Sequence, residues 1–523
     1  MKTELKRSYD FDEIIERRHT NALNTDGFRS YIFHAGPEKK FPYKDEEFVR
    51  MWVADMEFAT PPEICEAMKK RIDKRIFGYS MVFDSDYYNV LQKWCREKYD
   101  WEFPRKELCF SSGIIPALYE LTEDLLSKNE KMMIVTPAYG YFKHTAEYNN
   151  VELVCSNLKN DGGEFTIDFD DFEKKASDPH MKLILWCNPH NPTGRMWTAQ
   201  ELTKVAKIVE KYNLWIISDE IHCDLIRKNN KHIPMGKIMK DYKKLITCMS
   251  ASKTFNMAGL MFSNIIIRDE KLRNKFQEKD KNVGFVNPLS VEAHKAAYEK
   301  CGKWLEELKD YLDDNFQFLK DYLQENLPEA VYQIPEATYL AWVDMKVCLP
   351  DIENLPDFFA NRAGVLLEGG DDLFVGNANG FIRLNMAMPR ETIKKGLDRM
   401  VQAIREYQNE KFGGYSMKLM DEVMLQEKRM IADRRYLHEN PELSNQEYHT
   451  TEFIRKRLQE FGVEIENLNL KTGVSALIRG KGNGKTICIR HDIDALPIQE
   501  QTGLDFSSKN EGVSHSCGHD IHI

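Results

Sequence analysis

The chain of 523 residues carries 73 Lys and Arg against 83 Asp and Glu, and its formal net charge of −10 disfavours binding to nucleic acid. Its length exceeds that of one ordinary domain and allows a large core. The sequence has no stretch of about 18 apolar residues and no apolar segment near Met1, and its eleven cysteines are scattered, so we expect a cytoplasmic protein with reduced thiols and no membrane span.

Short apolar runs at intervals along the chain predict buried strands, because a strand covered on both faces is apolar throughout. Between two of them, residues 198–212 predict a helix. Thr198 and Glu201 have the spacing of a capping box, and four apolar residues that follow fall on one face. Strands alternating with helices predict an α/β fold with a mostly parallel sheet. The predicted strands are Met132–Thr136, Lys182–Cys187, Leu214–Ser218, Leu245–Met249 and Ser263–Ile267.

Polar side chains follow three of these runs in an order that suits a pyridine cofactor. Asn191 lies in the loop after Cys187, Asp219 directly follows Ser218, and Lys253 comes shortly after Met249. Sites of α/β proteins collect at the carboxyl ends of strands. A desolvated lysine amine can form a Schiff base, an aspartate can keep a pyridine nitrogen protonated, and an amide can donate to a ring oxygen. Singly, each residue also fits a turn, a helix cap or a solvated surface charge.

Four further motifs identify the family that the chain resembles. Over about residues 8–408 it resembles the fold-type I pyridoxal-phosphate enzymes of the class I/II aminotransferase superfamily, and among them the MalY/PatB-type cystathionine β-lyases. The resemblance implies a large domain with a mostly parallel sheet and a small α+β domain. The motifs are Met51–Phe58 (with Glu57 where Asp is usual), Phe77–Ser80, Pro335–Trp342 and Phe381–Asn385.

The resemblance implies a role for each candidate site residue. Lys253 would form the Schiff base with pyridoxal 5'-phosphate and move the proton at the substrate Cα, and Tyr139 would stack on the ring. Tyr79 would reach the cofactor of the partner in a homodimer, and Arg383 would bind the substrate α-carboxylate. The other implied cofactor contacts are Asn191 at the phenolate oxygen, Asp219 at the ring nitrogen, His222, and, for the phosphate, Gly113, Ile114, Ile115, Ser250 and Ser252.

Two departures favour the lyase branch over the transaminases. His222 stands where aminotransferases usually carry a tyrosine, and Met261 stands where they often carry a phosphate-binding arginine. We therefore expect a carbon–sulfur β-lyase that converts a Cβ–S amino acid to pyruvate, ammonia and a thiol. The alternatives are an aminotransferase and, from another class, a regulatory protein that contacts a transcription activator, as one branch of the family does. The sequence does not define which thiol amino acid is preferred.

The sequence predicts a boundary after this region. We expect a lyase at residues 1–410, with a large domain at about 58–287 and a small domain formed by the N-terminal arm and about 288–407. Residues 411–417 have linker composition.

Residues 418–523 resemble a second family, the zinc amidohydrolases related to aminoacylases and carboxypeptidases. The resemblance rests on Arg434–Leu443, Arg490–Pro497 and His515–Asp520, and it implies that Cys517 and His519 bind zinc or manganese. The general-base glutamate and the other ligands of that family would follow Ile523. We therefore expect a truncated α/β hydrolase-like segment without hydrolase activity, with a strand at Lys485–Arg490.

Overall fold

The computed structural model describes residues 7–228, 230–280, 286–412, 415–480 and 486–522. The chain forms two compact units, Met1–Glu406 and Tyr407–Ile523. The helices that begin in the first unit are α1 Leu23–Asp26, α2 Phe28–Phe33, α3 Pro62–Ile72, α4 Asp86–Tyr99, α5 Ile114–Leu125, α6 Gly140–Tyr148, α7 Phe169–Ala176, α8 Ala199–Lys211, α9 Met235–Ile238, α10 Ala251–Thr254, α11 Glu270–Asp280, α12 Pro288–Lys300, α13 Gly302–Asn326, α14 Leu355–Arg362 and α15 Arg390–Phe412.

The strands of the first unit include all five that the apolar runs predict. They are β1 Val49–Arg50, β2 Leu108–Ser111, β3 Lys131–Thr136, β4 Ala138–Tyr139, β5 Glu152–Asn157, β6 Lys159–Asp161, β7 Glu164–Thr166, β8 Met181–Cys187, β9 Trp215–Asp219, β10 Leu245–Met249, β11 Ser263–Ile267, β12 Leu340–Asp344, β13 Val365–Leu366, β14 Glu368–Gly369, β15 Phe374–Val375 and β16 Phe381–Asn385.

A seven-stranded sheet in the order β2-β11-β10-β9-β8-β3-β5 organises the first unit. The strands from β10 to β5 run parallel to one another, and β11 is antiparallel to both of its neighbours. Ile184, Ile216 and Ile217 are fully buried, because helices cover both faces of the sheet. The prediction of an α/β fold with a mostly parallel sheet is confirmed.

The predicted helix after β8 is also confirmed. Helix α8 has Thr198 as its N-cap, and the Thr198 hydroxyl accepts a hydrogen bond from the Glu201 N–H at 3.2 Å. The Glu201 carboxylate accepts one from the Thr198 N–H at 2.8 Å, which completes the capping box.

A turn before α8 requires glycine. Gly194 has a φ of +69°, and a Cβ there would lie 2.3 Å from the Pro335 Cβ and 2.9 Å from the Ala337 oxygen. The Ala337 N–H also donates to the Gly194 oxygen at 2.9 Å. The turn and the segment that leads into β12 are therefore packed directly against each other.

A three-stranded antiparallel sheet in the order β12-β16-β14 places Arg383 at its centre. Arg383 lies opposite Trp342 on β12 and opposite Glu368 on β14. Its side chain is 1% exposed and that of Glu368 is 2% exposed. The division of this unit into a large domain at 58–287 and a small domain remains a prediction.

The second unit contains α16 Tyr415–Glu439, α17 Tyr448–Glu460, α18 His519–His522 and the antiparallel strands β17 Glu464–Glu466 and β18 Ser475–Leu477. Of the linker predicted at residues 411–417, residues 411–412 and 415–417 are helical, and 413–414 lie outside the described residues. The predicted strand at Lys485–Arg490 is wrong for residues 486–490, where Ile487 and Ile489 are exposed and pair with no strand among the described residues; Lys485 lies outside those residues. No helix of the described part combines the length and the apolar character that crossing a membrane needs.

Candidate active site

The predicted site residues converge at the carboxyl ends of the parallel strands of the first unit, around a cavity of about 270 Å³. Strand β9 ends at Asp219, the loop after β8 carries Asn191, and α10 after β10 carries Lys253. Nine of the predicted residues line the cavity: Gly113, Ile114, Ile115, Tyr139, Asn191, Asp219, His222, Ser252 and Lys253. Ser250, Tyr79 and Arg383 do not belong to this lining.

The N-terminus of α5 forms one wall of the cavity. Gly113 is its N-cap, and the helix starts at Ile114. The first N–H groups of a helix have no partner within it, and they carry the positive end of the helix dipole. With the neighbouring Ser112, also in the lining, this wall can hold a phosphate group.

Asp219 is a buried carboxylate in the cavity wall. Burial raises the pKa of Asp219 to about 7, although a hydrogen bond from the Ile221 N–H, at 3.1 Å, acts in the opposite direction. Such a carboxylate favours a cationic partner, since pairing restores the stability of its charged form. A protonated pyridine nitrogen is a partner of this kind.

The Lys253 amine donates a hydrogen bond to the Ala54 carbonyl oxygen. Burial lowers the pKa of Lys253; the nearby carboxylate of Asp55 opposes this shift and Arg383 adds to it. A lowered pKa leaves more of the amine neutral, and the neutral amine is the form that attacks a carbonyl carbon.

His222 presents a neutral imidazole to the cavity. Burial lowers the pKa of His222 to about 3, and the charges of Lys253 and Arg383 contribute in the same direction. Its Nδ1 is buried and has no hydrogen-bond partner in the part of the chain that the structure describes.

Arg383 lies behind Asn191 and is tied to three groups. Its Nη1 donates to Asn191 Oδ1 at 3.2 Å, and its Nη2 donates to the Trp52 oxygen at 3.3 Å and to the Glu368 carboxylate. Because Asn191 Oδ1 accepts from Arg383, the Asn191 amide N–H₂ is left to face a ligand. Arg383 is thus adjacent to the cavity lining through Asn191.

Two asparagines hold the loop formed by residues 51–58, which carries Ala54. The amide of Asn385 donates to the Val53 oxygen at 2.9 Å and to the Asp55 oxygen. Asn256 accepts from the Met56 N–H at 3.0 Å and donates to the Met56 oxygen at 3.0 Å. The loop, the lysine segment and β16 therefore form one hydrogen-bonded unit.

Two predicted residues have other surroundings. The Ser250 hydroxyl donates to the Phe262 oxygen at 2.8 Å and accepts from the Ser252 N–H at 3.1 Å, which makes it the N-cap of α10. Tyr79 is 88% exposed.

Sequence reasoning missed Ala54, Glu368 and Tyr339. Ala54 and Tyr339 lie inside the motifs Met51–Phe58 and Pro335–Trp342, so the motifs themselves were the available signal.

The arrangement fits pyridoxal phosphate, since it combines an amine, a buried carboxylate, a helix N-terminus and the half-buried ring of Tyr139 around one cavity. The aminotransferase class I and II family matches residues 47–400. The chain belongs to this family. Within the family it is 36% identical over 358 residues to the cystathionine β-lyase PatB of Bacillus subtilis, an alignment that covers 68% of this chain and 92% of PatB.

Solved structures of the family show the same fold. The pyridoxal-phosphate-bound C–S lyase of Staphylococcus hominis is 46% identical, with a TM-score of 0.72, and the match covers 76% of this chain and 99% of that one. The predictions of a fold-type I transferase and of a MalY/PatB-type relationship are confirmed.

A relative of another kind matches a shorter part of the chain. The chain is 54% identical over 96 residues to the N-acetyl-L-cysteine deacetylase of Bacillus subtilis, and the match covers 18% of this chain and 23% of the deacetylase. The chain therefore spans about a quarter of the length of that relative.

The predicted metal ligands of the second unit, Cys517 and His519, belong to no larger group of candidate ligands among the described residues. His519 Nδ1 lies 2.8 Å from the Asp494 carbonyl oxygen and 3.0 Å from Asp494 Oδ1, and Cys517 is exposed. Across the described residues, no three His, Cys, Asp or Glu side chains are grouped so that they could hold a metal ion. The binding of zinc or manganese by Cys517 and His519 remains a prediction.

Proposed function

We propose that the first unit is a pyridoxal-phosphate-dependent carbon–sulfur β-lyase of the cystathionine β-lyase type. The observation that carries the proposal is the convergence of Lys253, Asp219, Asn191 and the α5 N-terminus on one cavity in a chain that is 46% identical to a C–S lyase. When bound, pyridoxal phosphate withdraws electrons from the substrate Cα. The Cα–H and Cβ–S bonds of the amino acid break, the sulfur leaves as a thiol, and water converts the remainder to pyruvate and ammonia.

Each side chain of the site has a separate role in this reaction. Lys253 would hold the cofactor through its amine and carry the proton to and from the substrate Cα. Asp219 would keep the ring nitrogen protonated, and Asn191 would donate to the phenolate oxygen. The N–H groups at the start of α5 would bind the phosphate. Arg383 binds the substrate carboxylate through its N–H groups, positioned by its bonds to Glu368 and Asn191.

We also propose a homodimer in which Tyr79 serves the cofactor of the partner subunit. An exposed apolar strip supports this: Ile76, Phe77, Tyr79 and Phe83 are 72%, 57%, 88% and 80% exposed. Contiguous exposed apolar side chains mark association sites. Sedimentation of the active protein should show a dimer, and a fully active monomer would contradict the assignment of Tyr79.

The second unit, we propose, is related to the amino-terminal part of zinc amidohydrolases. The 54% identity of the chain to a deacetylase over 96 residues supports the relationship. Incubation with zinc or manganese and N-acyl amino acids should release no free amino acid. Metal-dependent release that is lost in Cys517→Ala would show instead that the unit is catalytic.

The test of the lyase proposal separates two reactions that the family fold can support. Purified protein with pyridoxal phosphate should release pyruvate, ammonia and a thiol from L-cystathionine. An aminotransferase would instead exchange the amino group with a keto acid and release no pyruvate from sulfur substrates. Lys253→Ala, assayed in parallel, controls for pyruvate released by free cofactor.

A further inference from the structure

The Ala54 carbonyl oxygen accepts hydrogen bonds from two donors, the Lys253 amine and the Tyr339 hydroxyl. Tyr339 O–H donates at 2.7 Å, and its side chain is fully buried. Burial raises the pKa of Tyr339 well above its ordinary value, so the hydroxyl keeps its proton and acts as a donor. The phenol and the reactive amine therefore share one acceptor.

The residue before Tyr339 has an unfavourable backbone conformation. Thr338 has a φ of +69°, in the left-handed region that β-branched residues avoid. Three contacts hold it there: its N–H donates to the Leu225 oxygen at 2.6 Å, its carbonyl accepts from Arg227 at 2.6 Å, and its hydroxyl accepts from the Leu340 N–H at 3.1 Å. A strained backbone conformation of this kind persists only where several contacts hold the residue in place. Such residues are frequent at functional sites.

The shared acceptor is itself fixed. Asn385 holds the carbonyls on either side of Ala54, those of Val53 and Asp55. The Tyr339 ring packs edge-on against His222, with ring centroids 6.1 Å apart, and His222 lines the cavity. The hydroxyl of Tyr339 consequently has a defined position relative to the cavity.

We propose that Tyr339 is a positioning residue for Lys253. Its hydroxyl occupies one lone pair of the Ala54 oxygen and leaves the other to the lysine amine, which sets where the amine rests whenever it is not bonded to another group. The proposal rests on the proposed function only in taking Lys253 as the reactive amine.

The hydrogen bond from Tyr339 to the Ala54 oxygen affects the pKa of Lys253 in one definite direction. Asp55, Glu368 and Asp219 raise the pKa of Lys253, while burial, the largest influence, and Arg383 lower it. A carbonyl that already accepts from a phenol gives less stabilisation to an ammonium group. Removing the phenol strengthens the ammonium–carbonyl bond, and hydrogen bonding to the charged form raises the pKa of an amine.

The test measures the amine in the cofactor-free full chain. Acetic anhydride labels neutral amines, and mass spectrometry of the Lys253 peptide across a pH series gives the midpoint of labelling. In Tyr339→Phe the midpoint should rise by about 0.5–1 pH unit, the equivalent of one hydrogen bond. Tyr242→Phe is the matched control, because it also loses a hydroxyl-to-carbonyl bond, to the Leu214 oxygen at 2.6 Å, at the opposite end of β9.

An unchanged or lowered midpoint in folded Tyr339→Phe would overturn the proposal. Incorporation of 3-fluorotyrosine at position 339 gives a second test that keeps the hydroxyl in place. Its hydroxyl is the stronger donor, so the Lys253 midpoint should fall, and a rise or no change would count against the role of Tyr339.

The loaded protein separates this inference from the proposed function. Tyr339→Phe should lower kcat about tenfold and leave KM and cofactor affinity unchanged. If the protein releases no pyruvate from any sulfur amino acid, the lyase proposal fails, yet the labelling midpoint still decides the role of Tyr339.

Discussion

Replacing Asp219 with asparagine should stabilise the cofactor-free protein at neutral and alkaline pH. Burial raises the pKa of Asp219 from 3.8 to about 7. Between these values the folded state keeps a proton that the unfolded state has released. The unfolded state therefore binds fewer protons, and the free energy of unfolding falls as the pH rises. Above about pH 7 the folded wild type contains a buried charge that the asparagine variant lacks.

The size of the effect follows from the shift. From 3.8 to about 7 is about 3 pKa units, and at about 1.4 kcal/mol per unit the ionised carboxylate costs up to about 4 kcal/mol. This cost is absent below about pH 4, where both states are protonated. The asparagine side chain has the same shape, and its oxygen can still accept from the Ile221 N–H. The variant should thus gain up to about 4 kcal/mol at about pH 8 and almost nothing at about pH 4.

Urea unfolding of the cofactor-free wild type and of Asp219→Asn at about pH 4 and about pH 8 measures this difference. Asp224→Asn is the control, because that buried carboxylate accepts from Trp94 at 3.0 Å and from Thr254 at 2.9 Å and its loss should destabilise. Equal pH dependence in the wild type and Asp219→Asn would refute the reasoning. With pyridoxal phosphate bound, Asp219→Asn should lose orders of magnitude in rate, because the ring nitrogen loses its carboxylate partner.

Four further outcomes are expected. Borohydride should fix the cofactor onto Lys253, and Lys253→Ala should abolish turnover; peptide mass mapping that finds another lysine would contradict this. Arg383→Ala should raise KM for L-cystathionine more than it lowers kcat, as initial-rate kinetics will show. Asn385→Ala should lower the free energy of unfolding, measured with urea, by about 3 kcal/mol, which is about 1 kcal/mol for each of three lost hydrogen bonds. Deletion after Glu410 should leave lyase kinetics nearly unchanged, since the complete S. hominis lyase matches 76% of this chain; a large loss would argue against it.

The features that could be predicted from the sequence are local ones. A buried strand such as β9 is apolar along its whole length, and a capping box places both partners within four residues, so each can be recognised in a short window. The site residues Asn191, Asp219 and Lys253 could be predicted because each lies at the carboxyl end of such a strand or within four residues after it.

The contacts that were missed join distant parts of the chain. Tyr339 and Lys253 meet at Ala54, and the sequence separation between Tyr339 and Ala54 is 285 residues. No periodic pattern specifies such a pair. The predicted strand is wrong at residues 486–490 for a related reason: the alternating isoleucines there suit a strand, but no described neighbour pairs with these residues. A strand needs a partner, and local composition does not supply one.

The hydrogen bonds that hold residues 51–58 have a consequence for how the protein folds during its synthesis. Val53 leaves the ribosome early, and Asn385, which holds it, is synthesised 332 residues later. Domains fold as units during synthesis, so the nascent chain cannot close its site until almost the entire first unit has emerged. Residues 407–523 then follow, and while they are translated the finished first unit stays attached to the ribosome. Translation of the second unit thereby gives the contact between Asn385 and Val53 time to form before release.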